Sequence, residues 1–142
     1  MLFRRTSVSE RMEAACEQLL AATKDISAWE WDDTYNAVLA IIESPHESEP
    51  LATLHESLPH SWNTLDIRGA PEPVRHVSGL LGDLMAGQLL FVLDPEIDPM
   101  LSAAWWPWGN RLKSSLRISY AARSEAAAKT DAHTKLRASF DL

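Results

Sequence analysis

Eight prolines divide this chain into short segments and so limit the length of any regular element it can form. Proline lacks a backbone N–H and pushes the preceding residue out of the helical region, so an element usually ends beside it. Pro45 and Pro107 each follow an apolar segment, whereas Pro50 and Pro73 stand where a helix can begin. The sequence therefore predicts several short elements.

Within most of these segments the apolar residues recur every three or four positions, as they do on one face of an amphipathic helix. Ser7 and Glu10 fit a capping box that starts a helix running to about Lys24. Further helices are predicted over about 33–43, 48–57, 73–89 and 100–104, and a long final helix follows Asn110. Valine and isoleucine are few, and a strand is plausible only around residues 89–93.

This pattern predicts an all-α fold: a single compact domain of five or six helices with a long C-terminal helix, spanning residues 1–142. A chain of 142 residues is long enough to bury one substantial core. We expect about residues 1–6 and 139–142 to be frayed at the two ends.

Charge is distributed unevenly along the chain, whose formal net charge is −7. Residues 1–66 carry twelve acidic and four basic side chains, whereas residues 111–142 carry seven basic and three acidic ones. Nucleic-acid binding needs a surplus of lysine and arginine, so we expect no direct nucleic-acid contact. An acidic protein instead suits a protein partner with a basic surface.

The chain is expected to be cytoplasmic, with no membrane span. Its most apolar stretch, Leu89–Leu93, is far shorter than the roughly 20 residues that a spanning helix requires. Cys16 is the only cysteine, so no internal disulfide can form and a reducing compartment is more natural.

No motif in the sequence indicates a metal, a cofactor or a catalytic residue. His55 and His60 are five positions apart, a spacing that does not align two imidazoles on a helix. The acidic residues of segment 94–98 lack the glycine and the terminal glutamate of a calcium loop. One enzymatic alternative stays open, in which His76 and Asp83, seven positions apart on one predicted helix, act as acid and base in a pocket between helices.

Two tryptophan-rich segments are the strongest candidates for a binding surface. In the first, aromatic and acidic residues alternate at a predicted helix entrance and suggest an apolar anchor with a carboxylate rim. The predicted partner-binding residues are Trp29, Glu30, Trp31, Asp32, Asp33, Glu43, Glu47 and Glu49, and a second contact would use Trp105, Trp106 and Trp108. Tryptophan is enriched at interface hot spots. Core packing and helix capping are the competing interpretation of both segments.

The function we expect from size and charge is that of a small acidic protein-binding protein. Its most concrete form is an immunity protein or antitoxin that inhibits a cognate toxin by occluding its active cleft. Two alternatives remain: the small enzyme described above, and a structural or regulatory helical subunit of an oligomer that associates through the Gly79–Gly87 face or the Trp105–Trp108 corner.

Overall fold

The structure, a computed structural model, describes residues 7–123 and 125–142. The predicted fraying of residues 1–6 therefore lies outside the described residues. Within them the chain forms four helices, α1 (Val8–Thr23), α2 (Ser48–Ser57), α3 (Glu72–Leu80) and α4 (Ala126–Ser139). It also forms six strands: β1 (Glu30–Asp32), β2 (Ala37–Glu43), β3 (His60–Trp62), β4 (Leu89–Val92), β5 (Met100–Pro107) and β6 (Lys113–Ala121).

The six strands form one antiparallel sheet in the order β1-β2-β6-β5-β4-β3. β6 lies between β2 and β5, so it joins the β1–β2 hairpin to the part of the sheet formed by β5, β4 and β3. The prediction of an all-α domain, a helical bundle with a long C-terminal helix, is therefore wrong. The described residues form an α/β fold with 41% helix, which includes two short 3-10 helices (Ser44–His46 and Ile67–Gly69), and 25% strand.

Three predicted helices are strands in the structure: β2 replaces the helix over 33–43, β5 the helix over 100–104, and β6 much of the long final helix. The final-helix prediction rested on Leu112, Leu116 and Tyr120, which are four positions apart. A spacing of four is also two full periods of a strand, so it does not distinguish the two structures. β2 is apolar on both sides, and such a run cannot be distinguished from a buried helix by periodicity.

Other predicted elements are confirmed. α1 begins where expected, with the Ser7 hydroxyl accepting a hydrogen bond from the N–H of Glu10 at 3.1 Å. α2 and the strand around residues 89–93, which is β4, are also present. α3 is shorter than predicted because the chain turns at Gly82, whose φ of +91° is a conformation that glycine adopts without strain.

Helices α1, α2 and α4 pack on one face of the sheet and form the larger apolar core with it. Cys16, Leu19, Leu54 and Leu136 contribute to this core from the helices, and Ile118 is one of the strand residues they meet. α3 packs on the opposite face, where Val74 and Val77 form a smaller core with residues of β4 and β5. The sheet is thus covered fully on one side and partly on the other.

A pair of leucine substitutions tests the strand assignment of β6. Leu116 is fully buried, whereas Leu112 lies in the β5–β6 turn and is 65% exposed. We expect Leu116→Ala to lower the free energy of unfolding by about 2–5 kcal/mol, because it leaves a cavity. Leu112→Ala should change it by less than about 0.5 kcal/mol. Urea titration of both variants measures the two free energies of unfolding. Equal decreases for the two variants would favour the predicted long final helix, in which both leucines lie on one buried face.

Candidate functional site

The second face of the sheet is only partly covered by α3. Leu39 and Ile41 of β2 point to this face and belong to neither apolar core of the described residues. We call the part of this face beyond α3 the open face. It consists of the side chains of β1, β2 and β6 and the end of β5 that point away from α1, α2 and α4: Glu30, Asp32, Leu39, Ile41, Glu43, Trp106, Lys113, Ser115 and Arg117. Glu30 and Glu43 are exposed there, whereas Ser115 is only 7% exposed.

Arg117 of β6 organises one side of the open face. Its Nε donates a hydrogen bond to the Asp32 carboxylate at 2.8 Å, and the two side chains are 15% and 12% exposed. Its guanidinium carbon lies 4.4 Å from the ring centroid of Trp106 and 4.9 Å from that of Tyr35. The rings of Tyr35 and Trp106 meet edge to face at 5.3 Å. Arg117 therefore contacts Asp32 of the first tryptophan-rich segment and Trp106 of the second.

Tyr35 is held in place from both sides. The turn that carries it is closed by the N–H of Thr34, which donates to Asp32 Oδ1 at 2.9 Å. Its ring also touches the turn after α3, where a Cβ placed on Gly82 would lie 3.3 Å from Tyr35 Cε1. That distance is below ordinary van der Waals contact, so a larger residue at position 82 would displace the ring. The cluster of Asp32, Tyr35, Trp106 and Arg117 is therefore fixed in shape.

The pKa of Asp32 reflects this environment. Burial alone would raise the pKa of its carboxyl, but the hydrogen bond from Arg117 lowers it. The backbone N–H groups of Thr34 and Tyr35 and the charge of Arg117 lower it further, so it lies below the ordinary value of 3.8. Asp32 is therefore ionised in the folded protein at neutral pH and serves as the counter-ion of Arg117.

Strand alternation separates the aromatic and acidic residues of the first tryptophan-rich segment. Trp31 faces the larger core, 5.9 Å from the ring of His133 and 4.9 Å from the Arg137 guanidinium. Trp29 also packs against that core, 4.6 Å from Phe140, and its Nε1–H donates to Thr23 Oγ1 at 2.9 Å. These two indoles lie on the side of the sheet opposite Glu30 and Asp32, so they do not flank the carboxylates.

The second tryptophan-rich segment is divided between the core and the open face. Trp105 is 3% exposed and belongs to the larger core. Trp106 points to the open face, and Trp108 at its margin is 38% exposed. The Trp108 Nε1–H donates to Ser115 Oγ at 2.9 Å, and the Lys113 ammonium lies 5.6 Å from its ring. Two of the three predicted contact tryptophans thus stand at the open face.

The remaining predicted carboxylates occupy two regions. Glu30 and Glu43 are exposed on the open face, and Asp33 is exposed in the turn after β1. Glu47 accepts a hydrogen bond from Ser114 Oγ at 2.8 Å near the end of β2, and Glu49 is exposed in the first turn of α2. The partner-binding residues predicted from the sequence do not include Tyr35, Leu39, Ile41, Lys113 or Arg117, although polar and apolar residues alternate along β6.

Other chemistry has less support from the geometry. Asp83 follows the end of α3 with a φ of +61°, so it does not share a helical face with exposed His76. Burial, with a smaller effect of Glu13, raises the pKa of the Cys16 thiol to about 12, so it is not a nucleophile. No group of three or more histidine, cysteine, aspartate or glutamate side chains in the described ranges is arranged to hold a metal ion.

A cleft of about 190 Å³ lies at the sheet end between Tyr35, Leu80, Ser119 and His133. Burial and the charge of Lys129 lower the pKa of His133, so this imidazole is neutral at pH 7. The cleft lining includes no carboxylate that could work with it as an acid–base pair.

No protein family model matches this chain, and no curated protein or solved structure proved similar to it. Each helix in the described ranges is too short or too polar to cross a lipid bilayer, as the sequence predicted.

The Asp32–Arg117 pair predicts a pH-dependent stability. A folded-state pKa below the unfolded value stabilises the fold above the unfolded pKa, and this contribution is lost as pH falls through the folded pKa. We expect Asp32→Asn to lower the free energy of unfolding by about 2 kcal/mol near pH 7. As the pH falls below the ordinary aspartate value of 3.8 and through the lower folded-state pKa, its deficit relative to the wild type should narrow.

Urea titrations at several pH values measure this effect. Asp33→Asn is the matched control, since it removes the neighbouring carboxylate from an exposed turn and should cost less than about 0.5 kcal/mol. A deficit for Asp32→Asn that stays constant across the acid range would contradict the assignment.

Proposed function

We propose that this chain is a cytoplasmic protein that binds one partner protein through its open face. In its most concrete form it is an immunity protein or antitoxin, which inhibits a cognate toxin by occluding the toxin's active cleft. The observation that carries the proposal is that Leu39 and Ile41, each half-buried, point to a sheet face on which neither apolar core of the described residues extends to their position.

The composition of the open face supports a role in protein binding. Arginine, tyrosine and tryptophan dominate interface hot spots, and Tyr35, Trp106 and Arg117 meet here in one fixed cluster. Their mutual packing holds their side chains in place before a partner arrives, so little conformational entropy is lost on binding. The apolar side chains of Leu39 and Ile41 lie beside them and would be covered in the complex.

Charge supports a partner with a basic surface. The positive charge of Arg117 is already compensated by Asp32. Glu30 and Glu43 are exposed along the β1–β2 side of the same face, where Lys113, opposite Glu43 on β6, is the other basic residue, so the carboxylates still outnumber the basic groups. A net charge of −7 would also attract a basic protein over a distance and accelerate its association. A cationic cleft that binds nucleic acid is the kind of surface this face would cover.

Occlusion would require a rigid surface rather than a catalytic group. The open face lies on a sheet whose other side is packed against three helices, so it can enter a cleft without deforming. A covered cleft would exclude its substrate, and the inhibitor itself would need neither cofactor nor metal.

Site-specific photo-crosslinking in the native cell tests the proposal. We expect benzoylphenylalanine at position 108, at the margin of the open face, to give one discrete adduct. The same group at position 52, on the exposed side of α2, should give none. The double variant Glu30→Lys, Glu43→Lys should lower the adduct yield about tenfold, because it reverses the charge of the two exposed carboxylates on the open face. Glu13→Lys with Glu17→Lys changes net charge equally on α1 and should have little effect.

The identified partner then provides the functional readout. We expect the partner alone to arrest growth when it is produced in a host cell, and the wild-type chain, but not the Glu30→Lys, Glu43→Lys variant, to restore it. A partner that is harmless alone would exclude the toxin–inhibitor form. An adduct between two copies of this chain would show that the open face mediates self-association, and would contradict binding to a different protein. No adduct at position 108, or equal adducts at both positions, would exclude the open face.

A further inference from the structure

Strand β2 extends beyond the strand that should cover its outer edge. β2 pairs with β6 from Val38 to Glu43, but β1 covers it only from Ala37 to Leu39. The chain enters β1 from Trp29, whose indole is tied to Thr23 and Phe140 on the helical side. The residues before β1 are therefore drawn away from the sheet, and among residues 7–123 and 125–142 the second half of β2 has a neighbouring strand on the β6 side only.

The hydrogen-bonding direction of each β2 residue follows from its position in the ladder. In an antiparallel pair, the N–H and C=O of one residue point to the same neighbour, and the direction alternates along the strand. The N–H of Ser44, just after β2, donates to the carbonyl of Leu112 beyond β6 at 2.9 Å. By this alternation the backbone N–H and C=O groups of Ala40 and Ile42 also point to β6. Those of Ile41 and Glu43 point the other way, towards the outer edge of β2.

The outward groups of Ile41 and Glu43 lie past the end of β1. Leu39, which also points outward, is opposite Glu30 of β1, but no residue of the described ranges forms a backbone hydrogen bond with Ile41 or Glu43 on that side. Ile41 is half-buried and Glu43 is exposed. We call this short unpaired edge the β2 notch. It presents two N–H donors and two C=O acceptors beside the open face.

We propose that the β2 notch receives an extended segment of the partner protein, which adds to the sheet as a short strand in line with β1. This inference rests on the proposed function and names how the partner attaches. Adding a strand to an exposed edge satisfies the backbone groups of both chains, and alternate side chains then supply specificity.

The side chains around the notch define the chemistry of that segment. Residues opposite Ile41 and Glu43 would point to the open face, because cross-strand neighbours share a face. Ile41 favours a β-branched or other apolar partner residue, and Glu43 favours lysine or arginine two positions away. Glu30 lies on the same face, and Glu47 and Glu49 follow the end of β2. The segment is therefore extended, with a basic residue two positions from an apolar one.

Hydrogen exchange of the free protein tests the geometry of the notch. We expect the amides of Ile41 and Glu43 to exchange about a hundredfold faster than those of Ala40 and Ile42, which are bonded to β6. Nuclear magnetic resonance resolves each amide separately. Equal protection of all four amides would overturn the proposal, because no free edge would then exist.

A phage-displayed library of random peptides, selected against the whole chain, tests binding without knowledge of the partner. Ile41→Pro removes an outward N–H while leaving the β6 ladder intact, and Ile41→Ala is its matched control because it keeps the N–H. We expect the selected peptides to bind Ile41→Pro about tenfold more weakly than Ile41→Ala, the effect of one lost hydrogen bond. A synthesised peptide should slow exchange at Ile41 and Glu43 about tenfold.

Each outcome decides between the alternatives. Three results would overturn strand addition. The library could fail to enrich any peptide, the peptides could bind the two variants equally, or the enriched peptides could lack a basic residue near an apolar one. If Ile41→Pro does not fold, as judged by its circular dichroism and unfolding midpoint, Glu43→Pro with Glu43→Gln provides the same comparison. A crosslink at position 108 combined with negative results here would leave the open-face proposal standing and remove only the notch.

Discussion

The pairing of β6 with β2 on one side and β5 on the other is the constraint on which the rest of the structure depends. The β2–β6 pair joins segments about 70 to 80 residues apart in the chain, since Val38 lies opposite Ile118 and Glu43 opposite Lys113. It also sets which side chains share a face. Leu116 and Ile118 enter the core, while Ser115 and Arg117 face the other way. Arg117 can reach Asp32, Tyr35 and Trp106 only because this register is kept.

Much of the helical part of the fold could be predicted from local signals. The Ser7 cap, the segment after Pro50 and the start of α3 each carry their information within a few residues. The sheet could not be predicted in this way, because its pairs are distant in sequence. The apolar run of β2 satisfies both a helix and a strand, and the spacing of Leu116 and Tyr120 is compatible with both. Pairing with distant strands, rather than local periodicity, determines that β2 and β6 are strands.

The candidate site shows why residue type was predicted better than residue placement. The alternation of aromatic and acidic residues in Trp29–Asp33 suggests an apolar anchor with a carboxylate rim, but this segment forms a strand. In a strand, alternation sends the indoles and the carboxylates to opposite faces. Trp31 therefore does not lie beside the carboxylates of Glu30 and Asp32. Arg117 instead contacts both Asp32 and Trp106, an indole more than seventy residues away in the chain. Long-range pairs of this kind leave no signal in a single sequence.

The short length of β1 links the core to the proposed binding mode. Trp29 contributes to the larger core by turning towards Thr23 and Phe140, and this turn takes the chain away from β2. The same side chain that helps to hold α1 and the C-terminal residues together thus leaves Ile41 and Glu43, within the described residues, without a strand on the side opposite β6. A free edge of this kind invites aggregation when it is long and apolar. Here it spans only a few residues, and exposed Glu43 lies within it, so it favours a short, charge-matched segment over indiscriminate pairing.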